Sequence, residues 1–451
     1  MGIHRRTRNR LDTRPVPALE SPRRRTAADT IARIAGRDGM NVDQPGIAWR
    51  DFQATPSDHR PALDGVRGIA ILTVFLFDCL KMPSGGAMHF LLRKISTAGW
   101  TGVDLFFVLS GFLITGILID SRRQPGYLSS FFIRRSLRIF PLYFLSLWVA
   151  FGILPQLCEF WPQARPVAAP MAELGVHQLW FWTYTQNWLF AFQGHWPTVN
   201  YLNHFWSLAV EEQFYLIWPF VVGWLSPRRL AWTCWGCVAI ALGLRIGMWS
   251  LGMPSVALYV TTLTRMDSLC LGALFAMGMR SPVWYPRLTR WVVPAILALA
   301  LLIVGVDQVW PLLQTETCGA QTIGHLLLGG LFGSFVFLAA SLRPQQWTAR
   351  LLSQRWLTLP GQFSYAMYVI HRPIYKLLLM WDWSFFPEAW RPLVIFVATL
   401  FATLAAAGLT WKFIEKQFLL LKTYFPRPDA RHLAPPSSME AVLADSNLAK
   451  S

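Results

Sequence analysis

The sequence predicts an all-helical polytopic membrane protein with about ten transmembrane helices and both termini on the cytoplasmic side. Three observations lead there. Hydrophobic residues make up 54% of the 451-residue chain and charged residues only 14%, where a soluble domain carries roughly 25% charged residues. Apolar runs long enough to cross ~30 Å of hydrocarbon recur along the chain. The 23 tryptophans and 30 prolines suit interfacial belts and interrupted helices better than a water-soluble core.

Taken in order, the runs fall at about 66–82, 101–119, 139–156, 207–225, 230–250, 261–279, 291–309, 321–341, 362–381 and 392–413. An inside N-terminus gives a consistent charge alternation. The inner loops would hold Arg122, Arg123, Arg134, Arg135, Arg138, Arg228, Arg229, Arg280, Arg287, Arg290, Arg343, Arg350 and Arg355, the outer ones only Lys81, Arg93, Lys94, Arg165 and Arg391. That asymmetry is the usual orientation signal. The aromatic segment 178–193 is too short to span and reads as an interfacial or re-entrant piece on the outer side. Residues 1–59 are polar, rich in arginine and without a 7–15-residue apolar core, so they are no secretory signal. They read as an unstructured cytoplasmic extension, 60–420 as the membrane domain, and 421–451 as a polar cytoplasmic tail.

The net charge of +17 sits in the tails and beside the spans. A nucleic-acid footprint would need it gathered on one folded surface. The six cysteines form no disulfide framework, and Cys234 and Cys237 inside an apolar run read as small buried side chains. There is no metal-ligand spacing.

Charge inside the spans is the informative part. Arg67 and Asp78 bracket Gly68–Phe77, an almost wholly apolar stretch. At ~100° per residue, eleven residues make three turns plus about 20°, so both side chains share one stripe, roughly 16 Å apart along the axis. A charge in a bilayer costs at least a few kcal/mol unless it meets a partner or a water-filled cavity. Two on one stripe predict a lined site through the membrane. Further along, Glu211 and Glu212 lie just inside another span, with Ser207 placed to cap it and Tyr215 one turn from Glu211. Adjacent residues diverge by about 100°, so one glutamate faces the site. Asp104 is expected to pair with an arginine near the outer face. Arg265 and Asp267 are too close in sequence to face each other, so each needs another partner.

Four signatures occur in order: Arg60-Pro-Ala-Leu-Asp64-Gly-Val-Arg67; Gly102-Val-Asp104-Leu-Phe-Phe-Val-Leu-Ser110-Gly111, followed by Phe132-Ile-Arg134-Arg135-Ser-Leu-Arg138; Phe205-Trp206-Ser207-Leu-Ala-Val-Glu211-Glu212-Gln-Phe-Tyr215; and Phe363-Ser364-Tyr365-Ala-Met-Tyr368-Val-Ile-His371-Arg372-Pro373. Together they resemble the acyltransferase-3 family of integral membrane acyltransferases over about residues 60–420. The resemblance implies an inner-membrane enzyme that moves an acyl group, acetyl in the simplest case, from cytoplasmic acyl-CoA to a hydroxyl of a sugar or other envelope acceptor, without a metal. It implies catalytic roles for Arg67, Asp78, Glu211 and Glu212. Arg134, Arg135 and Arg138 become a clamp for the donor phosphates, which guanidinium groups match in geometry as well as charge. Asp104, Tyr215 and His371 are further candidates.

One departure falls in the first span, where the family pattern has an arginine, ten intervening residues and then a histidine, and this chain has Asp78. Aspartate can accept a proton when burial favours it. His89 and His204, near the outer boundary, could stand in spatially for the missing histidine. The rival reading is a non-catalytic transporter or envelope-assembly protein on the same scaffold.

Overall fold

A computed structural model describes residues 48–53, 60–160, 171, 174–197 and 201–425. The rest of the N-terminal extension and the tail beyond 425 lie outside the described residues. Among those described, secondary structure is helical throughout. The principal helices are α1 (Pro61–Cys79), α2 (Ala87–Thr97), α3 (Thr101–Ser121), α4 (Tyr127–Trp148), α5 (Gln178–Trp182), α6 (Gln186–Gln193), α7 (Phe205–Trp224), α8 (Pro227–Ser250), α9 (Thr262–Arg280), α10 (Trp284–Asp307), α11 (His325–Ser341), α12 (Arg355–Gln362), α13 (Ser364–Leu378) and α14 (Arg391–Thr410).

Among the described residues, six helices are long and apolar enough to cross a membrane: Ala87–Ser121, Tyr127–Gln156, Pro227–Ser250, Trp284–Asp307, Ala320–Ser341 and Arg391–Tyr424. The other expected spans are helices as well, α1, α7, α9 and α13, of 19, 20, 19 and 15 residues. The first three fall short in apolar character because they carry Arg67 and Asp78, Glu211 and Glu212, and Arg265 and Asp267, whereas α13, with His371 and Arg372, is too short. These four helices supply part of the polar interior, and α3, α4 and α11 add Asp104, Arg135, Arg138 and His325 to it.

Burial follows the same division. α1 starts on Pro61 with Asp64 in its first turn, suiting the helix dipole, and it stops where Leu80 turns extended before a Pro-Ser-Gly-Gly stretch. Most of α1 and α3 is buried, whereas α10 buries only Val292 and Ile303 and turns Trp291, Leu297, Leu301 and Val304 outward. α3 lies along α9, and α1 along α12. Glycines make the first contact possible: a Cβ on Gly111 would collide with the Leu269 carbonyl, and one on Gly272 with that of Val108. Gly111→Ala is expected to lower stability by roughly 1–3 kcal/mol, the usual range for overpacking. A lower melting midpoint of the detergent-solubilised protein would show it, and an unchanged midpoint would mean the helices can part freely.

Segment 178–193 is broken into α5 and α6, of 5 and 8 residues, with Tyr184 at φ 54° between them. Neither piece can cross a bilayer. The N-terminal stretch expected to be unstructured contains an ordered turn, Trp49–Asp51. It is held because Trp49 donates its indole N–H to the Leu225 carbonyl at 2.8 Å and lies under Arg122 at 4.9 Å, while the Gln53 amide reaches the Arg280 carbonyl at 3.0 Å.

Candidate active site

Arg67 and Asp78 open on two different cavities. A small one of about 120 Å³ is lined by Arg67, Arg135, Arg138, Ser110, Glu211 and Tyr215. A larger one of about 460 Å³ is lined by Asp78, Lys81, Arg372, Lys376 and Glu316 among the rings of Trp100, Trp196, Trp206, Tyr259 and Tyr375. Val103 and Tyr368 border both. The stripe on α1 thus runs from one cavity to the other. Between them the Tyr368 hydroxyl meets Ser207 Oγ at 2.6 Å and donates to the His204 carbonyl at 2.9 Å.

At the Arg67 end, Arg67 donates to Asp64 Oδ1 at 2.7 Å. Arg135 lies 4.5 Å from the centre of the Tyr215 ring. The Tyr215 hydroxyl donates to Glu211 Oε2 at 3.1 Å and itself accepts from Ser110. Of the adjacent glutamates, Glu211 lines this cavity; Glu212 lies instead within electrostatic reach of Tyr143, Tyr184 and Tyr365. Arg135 and Arg138 converge here with Arg67, while Arg134 donates to the Phe425 carbonyl at 2.9 Å. Ser207 does not cap α7. The chain is already turned at Leu202–His204 and the helix starts at Phe205, so Ser207 lies within it and its hydroxyl turns to Tyr368. Glu211 is then the seventh residue of the helix, beyond the first turn where the dipole favours negative charge.

At the other end, Asp78 is gripped on both oxygens. Arg372 reaches Oδ1 through Nη2 at 2.5 Å and Oδ2 through Nε at 3.0 Å, the planar fork that suits a carboxylate. His371 adds Nε2 to Oδ2 at 2.9 Å, and its Nδ1 faces the Tyr368 carbonyl at 2.8 Å. Both nitrogens of His371 therefore face acceptors. A carboxylate bound to a guanidinium is a poor proton acceptor, so this geometry gives Asp78 the work of holding Arg372 and His371 in place.

Asp104 does find an arginine. Its Oδ1 receives Arg265 Nη2 at 2.9 Å, Ser268 Oγ at 3.0 Å and His325 Nδ1 at 3.2 Å, all fully buried. Asp267 pairs separately with Arg245 at 2.6 Å. Among the described residues, no cluster of three or more metal-ligating side chains forms.

A model of the acyltransferase domain family Acyl_transf_3 matches residues 60–412. The chain belongs to the acyltransferase-3 family. Its relatives include O-acetyltransferase OatA of Staphylococcus aureus strain NCTC 8325, 27% identical over 375 residues that cover 79% of this chain and 56% of OatA. A protein of Staphylococcus aureus strain MSSA476, provisionally named an O-acetyltransferase, is 27% identical over 383 residues, 80% of this chain and 57% of its own length. The chain thus spans little more than half the length of these curated relatives. No solved structure matches it.

Among the residues that line the larger cavity, Arg372, Lys81 and Tyr368 are not singled out as site candidates by sequence patterning. Arg372 carried a signal, since an intramembrane cation needs a partner. Tyr368 belongs to the fourth signature, but that pattern gives it no position. Its place at the junction depends on how α13 meets the start of α7, which no local pattern encodes.

Proposed function

We propose that the chain is a ten-pass O-acyltransferase of the cytoplasmic membrane, with both termini inside. It would take an acyl group, acetyl in the simplest case, from acyl-CoA entering at the Arg67 end and pass it to an acceptor hydroxyl at the Asp78 end. The observation that carries this is the pair of unlike cavities meeting at Tyr368. Three arginines in a small cavity suit phosphates bound at its opening and a thin thioester arm within. Rings mixed with charged groups, in a volume inside the roughly 300–1,000 Å³ typical of ligand sites, suit a polar acceptor such as a sugar of the envelope.

Reconstitution in liposomes with labelled acetyl-CoA and envelope glycan tests the reading. Label appearing on glycan supports it; a protein that moves intact glycan across the bilayer without labelling it supports the transporter reading instead. Arg138→Leu removes one charge-assisted contact, so the KM for acyl-CoA is expected to rise about 10- to 100-fold, as a loss of ~1.5–3 kcal/mol implies. Acceptor KM should hardly change. An unchanged donor KM would place the phosphates elsewhere.

A further inference from the structure

We propose that His204 is the general base of the transfer, with Nδ1 the atom that takes the proton of the acceptor hydroxyl. This rests on the acyltransferase reading and adds the base to it. His204 lines the larger cavity and is 3% exposed. Its Nε2 faces the Val369 carbonyl at 3.3 Å. A carbonyl only accepts, so Nε2 carries the hydrogen and Nδ1 is left with a lone pair. That Nδ1 is buried and has no hydrogen-bond partner. A buried polar atom without a partner is uncommon and calls for a reason; a substrate hydroxyl donating to it would supply one.

The other basic groups near the junction are committed. Both oxygens of Asp78 are held by Arg372 and His371, and both nitrogens of His371 face acceptors. Glu211 belongs to the smaller cavity and already accepts from Tyr215. Glu316 lines the larger cavity from an exposed loop. The groups packed about His204 are the His371 ring at 4.8 Å, the Tyr368 ring at 5.2 Å and, beyond His371, the Asp78–Arg372 pair. Its backbone is fixed at the meeting point of the cavities, since the His204 carbonyl accepts from Tyr368 at 2.9 Å and from Ser207 at 3.2 Å. That places the base where a donor arm from one side and a hydroxyl from the other would meet.

In the step, the acceptor oxygen attacks the thioester carbonyl carbon as Nδ1 takes the hydroxyl proton. The tetrahedral intermediate collapses, the C–S bond breaks, and the departing thiolate recovers the proton from His204. Hydroxyl and thioester become ester and thiol, with the histidine returned to its starting state.

The test uses the full chain in liposomes, as wild type, His204→Gln and His204→Ala, with labelled acetyl-CoA transfer and acetyl-CoA binding measured separately. Loss of a positioned base lowers turnover by about 10²–10⁴. The expected result is that loss in both variants, acetyl-CoA binding unchanged, and partial recovery of His204→Ala by added imidazole. Turnover near the wild-type value in either variant overturns the proposal. Loss that comes with lost binding, or that imidazole leaves untouched, also overturns it, because that pattern marks a structural role. A wild type that transfers nothing sinks the acyltransferase reading itself, which an active wild type with an active His204→Gln does not.

Discussion

Asp78→Asn is expected to lower acyl-transfer turnover about 100-fold or more and to raise the acceptor KM in the same variant. The amide turns one of the two oxygens that face Arg372 and His371 into an N–H₂ group pointing at donors. The guanidinium must then swing, and a shift of about 1 Å near reacting atoms can lose 10²-fold in rate. Arg372 lines the larger cavity, so its movement also reshapes the seat proposed for the acceptor. A base acting alone would behave differently: its loss lowers turnover and leaves acceptor affinity intact. The accompanying stability loss is expected at about 1–3 kcal/mol, because the Arg372 side chain keeps 15% exposure and water can partly replace its partner. Asp78→His is expected to stay inactive, since an imidazole set against Arg372 removes the countercharge. Full activity of Asp78→His, or loss of turnover in Asp78→Asn with acceptor KM unmoved, would return Asp78 to the role of base.

What could be read from the chain and what could not divide along physical lines. Helical spans are local: apolar length and flanking charge reveal them, and 321–341, for example, returns as the helical stretch Ala320–Ser341. The Arg67–Asp78 stripe is also local, because helical geometry alone puts both residues on one face. Partners are not local. Asp78 meets residues 293 and 294 positions away, and Asp104 meets one 161 away, so periodicity can require a partner without naming it. The choice between Glu211 and Glu212 needed the start of α7, which lies at Phe205 rather than at Ser207. His204 and His89 look alike in sequence, yet Nε2 of His89 faces the Ala389 carbonyl and the residue lines neither cavity. Only tertiary placement separates them.

Asp104→Ala is expected to destabilise the protein by about 3–5 kcal/mol, the range for stripping one partner from a buried ion pair. A loss of that size is a large fraction of the stability of most proteins. Arg265 would remain fully buried with its charge, held by the rings of Phe107, Trp206 and Tyr259 at 5.3, 5.8 and 5.1 Å. Cation–π contacts supply roughly 0.5–2 kcal/mol when desolvated, too little to replace the carboxylate. His325 does not help, because Arg265 Nη1 already donates to its Nε2 at 2.8 Å and its Nδ1 donates to Asp104. The penalty lies in the abandoned charge, so a compensating change should remove it: Asp104→Leu combined with Arg265→Met is expected to recover most of the melting temperature lost in Asp104→Ala. Activity should not return with it. Trp206 and Tyr259 line the larger cavity and Phe107 the smaller, so the guanidinium that the double variant lacks is also the wedge that spaces the rings of both. A folded, inactive double variant would assign this cluster to shaping the passage, whereas Asp104→Ala melting with the wild type would show that the buried pair contributes no net stability.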